Sequence, residues 1–432
     1  MARSEVKKFS ETFQWGFAKI EGSPSAEGRL PSIWDTFSPN AGDHATNSYE
    51  LWKDDIALLK SYGVKAYRFS LSWPRIIPKG SRQSEVNQAG INHYRQIIER
   101  LLNDGIRPFV TLDLPAELHK TYQGWLNKEE IVKDFVFYAE TCFKAFGDLV
   151  KDWFVLHLAS LNSVYYIAHW DNYQRALTYN DKFKQAQGGQ IGITLNASWL
   201  MPFDDAPVNF AAAKRAMDVT LGWFADPIYK ATYPPALKDM LGSRLPEFTP
   251  EEVNVLRNTS SDFFGLNTYT SHLVKEGGSE EFNGKVTYTF TRPDGTELGT
   301  QAQVPWLQTY APGFRELLKY TWQTYHKPIH VTENGFAQKD ENKKSIEEAI
   351  RDNDRVKYYT GYVNALLNAS TMDNVDVRSY FAWSLLDNFE WADAYETRFG
   401  VTYVDYKTQK RYPKDSSAFL IKFFKEHIES SK

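Results

Sequence analysis

The sequence predicts an α/β protein, a single (β/α)8 TIM barrel over residues 1–432, with a β-hairpin excursion after strand six and a shortened loop after strand four. Three observations point to it. Short apolar, β-branched runs alternate with amphipathic helical stretches from end to end, eight such runs can be counted, and no linker or low-complexity segment separates them. Length does not decide the matter, since 432 residues could equally make three average domains.

The strands are expected at Phe13 to Ala18, Val64 to Ser70, Pro108 to Leu112, Asp152 to His157, Gln190 to Leu195, Asp262 to Thr268, Ile329 to Glu333 and Arg378 to Ser384. Helices are expected at Tyr49 to Tyr62, Asn87 to Asp104, Glu129 to Val150, Asn209 to Phe224, Gly313 to Tyr325, Ser345 to Ala369 and Pro413 to Ile428. The long excursion Ser271 to Pro305 is Gly-rich. Within it, Lys285 to Thr291 followed by Arg292-Pro293-Asp294-Gly295-Thr296 reads as a hairpin. It is either decoration or a wall of the pocket mouth, because the loops that follow barrel strands open onto the catalytic face.

The stretch Ile329-His330-Val331-Thr332-Glu333-Asn334-Gly335 reads as a parallel strand covered on both faces that delivers an acid to its end. Gly335 is expected to let the chain turn at once. Glu333 is then either a nucleophile or one half of a structural ion pair.

Composition excludes several classes. Hydrophobic residues at 42% and charged residues at 24% are ordinary for a globular chain, whereas 15% aromatic residues, with 13 Trp, is high and suits both core packing and pockets for ring-shaped ligands. A net charge of −4 without a basic block gives no footprint for nucleic acid or an anionic membrane. Cys142 stands alone, so an intrachain disulfide or a cysteine metal site is excluded. The polar N-terminus and the lack of a long apolar run point to a cytoplasmic location. No cofactor or metal motif appears. The expected partner is a small molecule, and the oligomeric state is left open.

Several runs resemble glycoside hydrolase family 1, the β-glucosidase family, in its fungal intracellular form. They are Phe13-Gln14-Trp15-Gly16-Phe17-Ala18, Pro31 to Phe37, Tyr67-Arg68-Phe69-Ser70-Leu71-Ser72-Trp73, Trp223 to Tyr229, Phe263 to Thr270, Val331 to Gly335 and Phe381 to Trp391. Retaining glycosidases use two carboxyl groups about 5–5.5 Å apart, one attacking the anomeric carbon and one protonating the leaving oxygen. The resemblance makes Glu333 the nucleophile, with Arg68 and Tyr269 holding it; an opposite charge and a hydrogen-bond donor both favour an ionised carboxylate. It also implies that Glu390 and Trp391 bind sugar hydroxyls and that Trp383 is the platform under the sugar ring. Asn267 and Phe399 are counted with these substrate contacts.

The other half of the family pattern is missing. Where the family carries Thr-Phe-Asn-Glu-Pro, this chain has Val155-Leu156-His157-Leu158-Ala159, so Leu158 replaces the acid/base glutamate and His157 the asparagine. General acid/base help is typically worth about 10²–10⁴-fold. After Ala18 the chain is about four residues short of the pattern. After Leu112 it passes straight to Asp113, omitting a sugar-binding histidine. Beyond Ser160 the connection to Gln190 is shorter by on the order of 40 residues, outside ordinary loop variation.

These losses lead to the expectation of a divergent, remodelled barrel with a partly apolar pocket lined by Leu158, not a competent β-glucosidase. In that reading it is a repurposed enzyme of secondary metabolism acting on a small metabolite by a non-hydrolytic step, such as cyclisation, rearrangement or a pericyclic-type reaction. Two alternatives stay open: a residual retaining glycosidase or transglycosidase using Glu333 on activated glycosides, and a non-catalytic ligand-binding pseudo-glycosidase. His157 is either a replacement acid/base group or a structural histidine. Asp113 is either drawn into the pocket or part of the turn before Pro115.

Overall fold

The computed structural model describes residues 7–19, 30, 32, 45–113, 118–158, 183–258 and 261–429, without the side chains of residues 113, 119, 125, 128 and 155–158. Its strands are β1 (Gln14–Lys19), β2 (Ala66–Ser72), β3 (Arg107–Asp113), β4 (Asp152–Leu158), β5 (Gln190–Asn196), β6 (Trp199–Pro202), β7 (Phe264–Asn267), β8 (Ser271–Glu276), β9 (Val286–Thr289), β10 (Ile329–Asn334), β11 (Val377–Trp383), β12 (Thr402–Val404) and β13 (Arg411–Pro413).

Eight of these close into a barrel in the order β1, β11, β10, β7, β5, β4, β3, β2, each paired in parallel with its neighbours. All eight expected strands are present, with ends shifted by up to two residues. The barrel strands are continuous apolar runs because both faces are covered. Helices wrap the outside, and their burial follows the sequence period: Gln88–Asn103 buries Ile91, Tyr94, Ile98 and Leu101 and is capped by the Asn87 side chain accepting from the Ala89 amide.

The barrel interior is a packed plug. Phe109 meets the rings of Phe154 and Phe381, and His330 packs edge-on to Phe263 at 4.6 Å. Burial pushes the His330 imidazole down to about 3, so it is neutral, bonded through Nδ1 to Ser379 Oγ at 2.8 Å. The Arg68 guanidinium lies over Phe154, so the floor of the site rests on this plug.

Three expectations for the elements are corrected. The helix expected over Ser345 to Ala369 is two, Ile346–Ala349 and Asn353–Met372. Ser345 starts the first with a capping box, and the chain breaks because the Asp352 carboxylate is pulled inward to Arg355 at 2.6 Å and to the Ser416 amide at 2.9 Å. The stretch expected as one helix from Asn209 to Phe224 is the helix Pro207–Met217, a π-helical turn Asp218–Gly222 and the helix Trp223–Lys230. The hairpin strand is present as β9, antiparallel to β8, but β8 also pairs with β6, a strand not foreseen that lies before the excursion, so the excursion supplies two strands of a three-stranded sheet. The turn after β9 is closed by the Arg292 amide on the Thr296 carbonyl at 2.8 Å, with Gly295 at a φ of 84° that only glycine adopts freely.

Candidate active site

Register brings the site residues together at the C-terminal ends of the strands. Arg68 in β2 is level with Ala18 and Phe109, Ala18 is level with Trp383 at the end of β11, and Glu333 in β10 is level with Asn267 at the end of β7. The pairing of β10 shifts on both sides after Val331, a bulge that re-aims the strand's last side chains. Every residue of β10 is buried.

Glu333, 2% exposed, lies between two donors. Arg68 Nη1 donates to Oε1 at 2.5 Å, and the Tyr269 phenol donates to Oε2 at 2.7 Å. Arg68 is held in turn by Nε donating to Thr111 Oγ1 at 3.1 Å. Burial, then the charge of Glu333, pushes the Tyr269 phenol well above the usual tyrosine range, so it stays a donor. Gly335 is needed for a reason other than the expected turn: it is absent from the positive-φ glycines, but a Cβ there would lie 2.0 Å from the Trp383 carbonyl oxygen. β10 and β11 approach this closely only with glycine at that position.

On the other side, Trp383 is 3% exposed and its indole Nε1 donates to Glu390 Oε1 at 3.2 Å. Glu390 as a whole residue is part-exposed, yet its Oε2 is out of solvent contact and without a hydrogen-bond partner. Burial raises its carboxyl well above the usual range, and the nearby charge of Glu333 adds to this, so the neutral form is favoured more than in an ordinary glutamate. Trp391 is half-buried at the start of the short turn Trp391–Asp393, with a left-handed φ of 53°.

The loop that carries Glu390 is anchored by a buried ionic network. Asp387 accepts from Lys414 at 2.8 Å and from Arg398 at 2.7 Å; Lys414 also pairs with Glu341, which takes Arg355 at 2.7 Å, and Arg355 bonds Asp352. Three cations thus balance three carboxylates with almost no solvent access.

Of the expected residues, Glu333, Arg68, Tyr269, Trp383 and Glu390 come together. Asn267 is 1% exposed and accepts from Thr332 Oγ1 at 2.6 Å. Phe399 is buried, edge-on to Tyr269 at 5.9 Å. The backbone of His157 is level with Thr194 and that of Leu158 with Leu195, at an irregular end of β4; Asp113 closes β3 level with Ser72. The side chains of His157, Leu158 and Asp113 lie outside the described residues, as do the connections at 20–29 and 159–182.

Sequence reasoning missed Trp306. It is 47% exposed, its ring stacks along Phe399 at 6.4 Å and stands edge-on to Tyr269 at 5.7 Å, so it rises at the mouth beside the phenol that touches Glu333. A tryptophan immediately after the excursion was the available signal. Among the described residues no group of three or more His, Cys, Asp or Glu could hold a metal ion, and no helix is long and apolar enough to cross a membrane.

A carboxylate at the end of the seventh barrel strand, clamped by an arginine from the second and a tyrosine after the sixth, sits on a chain whose residues 5–163 and 157–431 match the sequence model of Glycosyl hydrolase family 1. The chain belongs to that family. Residues 157–163 fall in both matches, so the continuous match breaks in the connection after β4. Beta-glucosidase 1B of Phanerodontia chrysosporium is 53% identical over 470 aligned positions, covering 98% of this chain and 87% of that protein. The aligned span exceeds the 432 residues present here, so that relative carries residues with no counterpart in this chain. Raucaffricine-O-beta-D-glucosidase of Rauvolfia serpentina is 38% identical, over 95% of this chain and 89% of that one. Among solved structures, the β-glucosidase of Trichoderma harzianum superposes with a TM-score of 0.94 at 40% identity over 100% of both chains. A family 1 β-glucosidase of Humicola insolens in complex with glucose gives 0.93 at 40% identity over 98% of this chain and 100% of that one.

These relatives overturn the expectation of a repurposed barrel working by a non-hydrolytic step. Proteins this similar over nearly the whole chain are named β-glucosidases, and the fold that was expected to house a new chemistry superposes on theirs from end to end. The inference from missing motif residues failed because it gave the absent polar groups more weight than the intact clamp on Glu333.

Proposed function

We propose that this chain hydrolyses β-glucosides by the retaining mechanism, with residues 1–432 acting as one catalytic unit and Glu333 as the nucleophile. The observation that carries the reading is the Glu333 carboxylate held by Arg68 at 2.5 Å and Tyr269 at 2.7 Å. Both donors fix its orientation toward a sugar seated against Trp383. One Glu333 oxygen attacks the anomeric carbon, and the bond to the leaving oxygen breaks with its electron pair going to that oxygen. Water then displaces Glu333 and restores the carboxylate. Glu390 and Trp383 serve the sugar's hydroxyls and face, while Trp306 and Phe399 serve the leaving group. The similarity to β-glucosidases over nearly the whole chain supports β-glucosides as the substrate class.

Leu158 stands where the resemblance calls for the acid/base glutamate, and we read it as supplying no proton. The leaving oxygen then departs as an anion or takes its proton from water, so turnover depends on leaving-group acidity. The test compares wild type with Glu333→Gln on 2,4-dinitrophenyl β-glucoside and on cellobiose, with and without azide. Rapid release of dinitrophenol that azide accelerates and Glu333→Gln abolishes supports the reading, because azide attacks the glycosyl-enzyme without a general base. Equal rates on cellobiose would refute the role given to position 158. Folded protein that turns over neither substrate would refute the whole.

A further inference from the structure

Behind the nucleophile lies a set of buried phenols that the proposed reaction does not itself use. Asn334 follows Glu333 in β10 and is 0% exposed. Its Oδ1 accepts from the Tyr380 phenol at 2.7 Å, and its Nδ2 donates to the Thr268 carbonyl at 2.7 Å and to the Tyr358 phenol oxygen at 2.8 Å. Tyr358 is thereby left to spend its own proton on the backbone carbonyl of Tyr269, at 2.8 Å. A second phenol, Tyr362, donates to the same carbonyl at 3.0 Å and accepts from the Tyr310 amide at 3.1 Å. Tyr358 and Tyr362 stand four apart on the helix Asn353–Met372, which puts them on one face, and their rings stack at 3.9 Å.

We propose that Tyr380, Asn334, Tyr358 and Tyr362 form a positioning device that fixes the Tyr269 phenol against the Glu333 carboxylate. The chain is directed: each proton has one acceptor, so the donors cannot be reversed without leaving a buried polar group unpaired, at a real cost. It ties the residue after Glu333 to the backbone of Tyr269, while the Thr268 amide donates to the Glu333 carbonyl at 3.0 Å and closes the loop. Phenylalanine would fill the same core space. Three phenols and one amide, linked to each other and to the backbone carbonyls of Thr268 and Tyr269, are explained by what they hold. Burial keeps Tyr358 and Tyr380 well above the usual phenol range, so both remain donors across the working pH.

The inference rests on Glu333 being the nucleophile. Its test is a double-mutant cycle of Tyr358→Phe/Tyr362→Phe with Tyr269→Phe, read as the rate at which 2,4-dinitrophenyl 2-deoxy-2-fluoro-β-glucoside labels Glu333, followed by intact mass. The Tyr358→Phe/Tyr362→Phe variant should label at least about tenfold more slowly, the scale of a lost hydrogen bond to a charged group. Inhibition by glucose should stay within about twofold, and Tyr269→Phe should abolish the difference, because the phenols act through Tyr269. An unchanged labelling rate, or the same slowing in the Tyr269→Phe background, would overturn the proposal. Wild type that resists labelling would count against the hydrolytic reading alone. The device is then read from a crystal structure of the variant, where a Tyr269–Glu333 separation beyond hydrogen-bond distance supports it and a retained contact overturns it. Should the double variant fail to fold, Tyr362→Phe alone carries the same cycle.

Discussion

Replacing Lys414 with methionine tests whether the loop bearing Glu390 is held by charge. Methionine keeps the length and apolar contacts of the stem and removes one positive charge, from Glu341 and from Asp387 at 2.8 Å. Arg355 and Arg398 then face Glu341, Asp352 and Asp387, an excess of one negative charge in a place almost closed to water. Breaking one member of such a network costs about 3–5 kcal/mol, because the remaining charge stays buried without its partner. The dependence on pH has a definite sign. Burial alone would raise Asp387, but Lys414, Arg398 and Arg355 outweigh it and hold the carboxyl below its ordinary value of 3.8. In the wild type this stabilisation is present above that value and lost only as pH falls through the lowered one. In Lys414→Met the cation is gone and burial remains, so Asp387 moves up and the deficit is largest near neutrality, shrinking as the pH falls. Urea unfolding at pH 7 and pH 5 reads both, since urea does not screen charges as guanidinium does. A variant within about 1 kcal/mol of wild type at pH 7, or a deficit that grows toward acid, would refute the reasoning.

Glu390→Gln mimics the neutral acid that burial favours. A carboxyl raised in the folded state stabilises at low pH and loses that contribution as pH rises through its folded value, so wild type should lose stability and substrate affinity as pH climbs from the ordinary carboxyl value of 4.5 through the raised one while Glu390→Gln should not; parallel melting and KM profiles from pH 5 to 9 check this. Trp306→Ala removes the exposed ring at the mouth, and KM for aryl glucosides should rise by up to about tenfold against little change for methyl glucoside, the scale of one aromatic contact. Gly335→Ala forces a carbon to within 2.0 Å of the Trp383 carbonyl, so β10 and β11 must part; soluble yield and midpoint should both fall, and a normal midpoint would refute the packing argument.

The strands and helices of the barrel were legible because their signals are local. An apolar run, a 3.6-residue period or a capping asparagine such as Asn87 is read within one segment, and the eight parallel strands follow from their alternation. Glu333, Arg68 and Tyr269 were legible through short motifs, and the structure brings them within hydrogen-bond reach of one another's side chains. The helix break at Asp352 was not legible, since the partner that pulls it inward, Ser416, lies in another element far along the chain. Nor was the pairing of β6 with β8, which depends on two short strands meeting across an insertion. The raised carboxyl of Glu390, the balance of charges around Asp387 and the hydrogen-bond chain behind Tyr269 belong to tertiary structure alone. Each depends on how much water is excluded and on which distant groups share the space, and neither quantity exists until the strands close into a barrel. The sequence by itself determined which chemical groups stand at the strand ends; closure decided which of them are ionised, which are neutral and which are held in line.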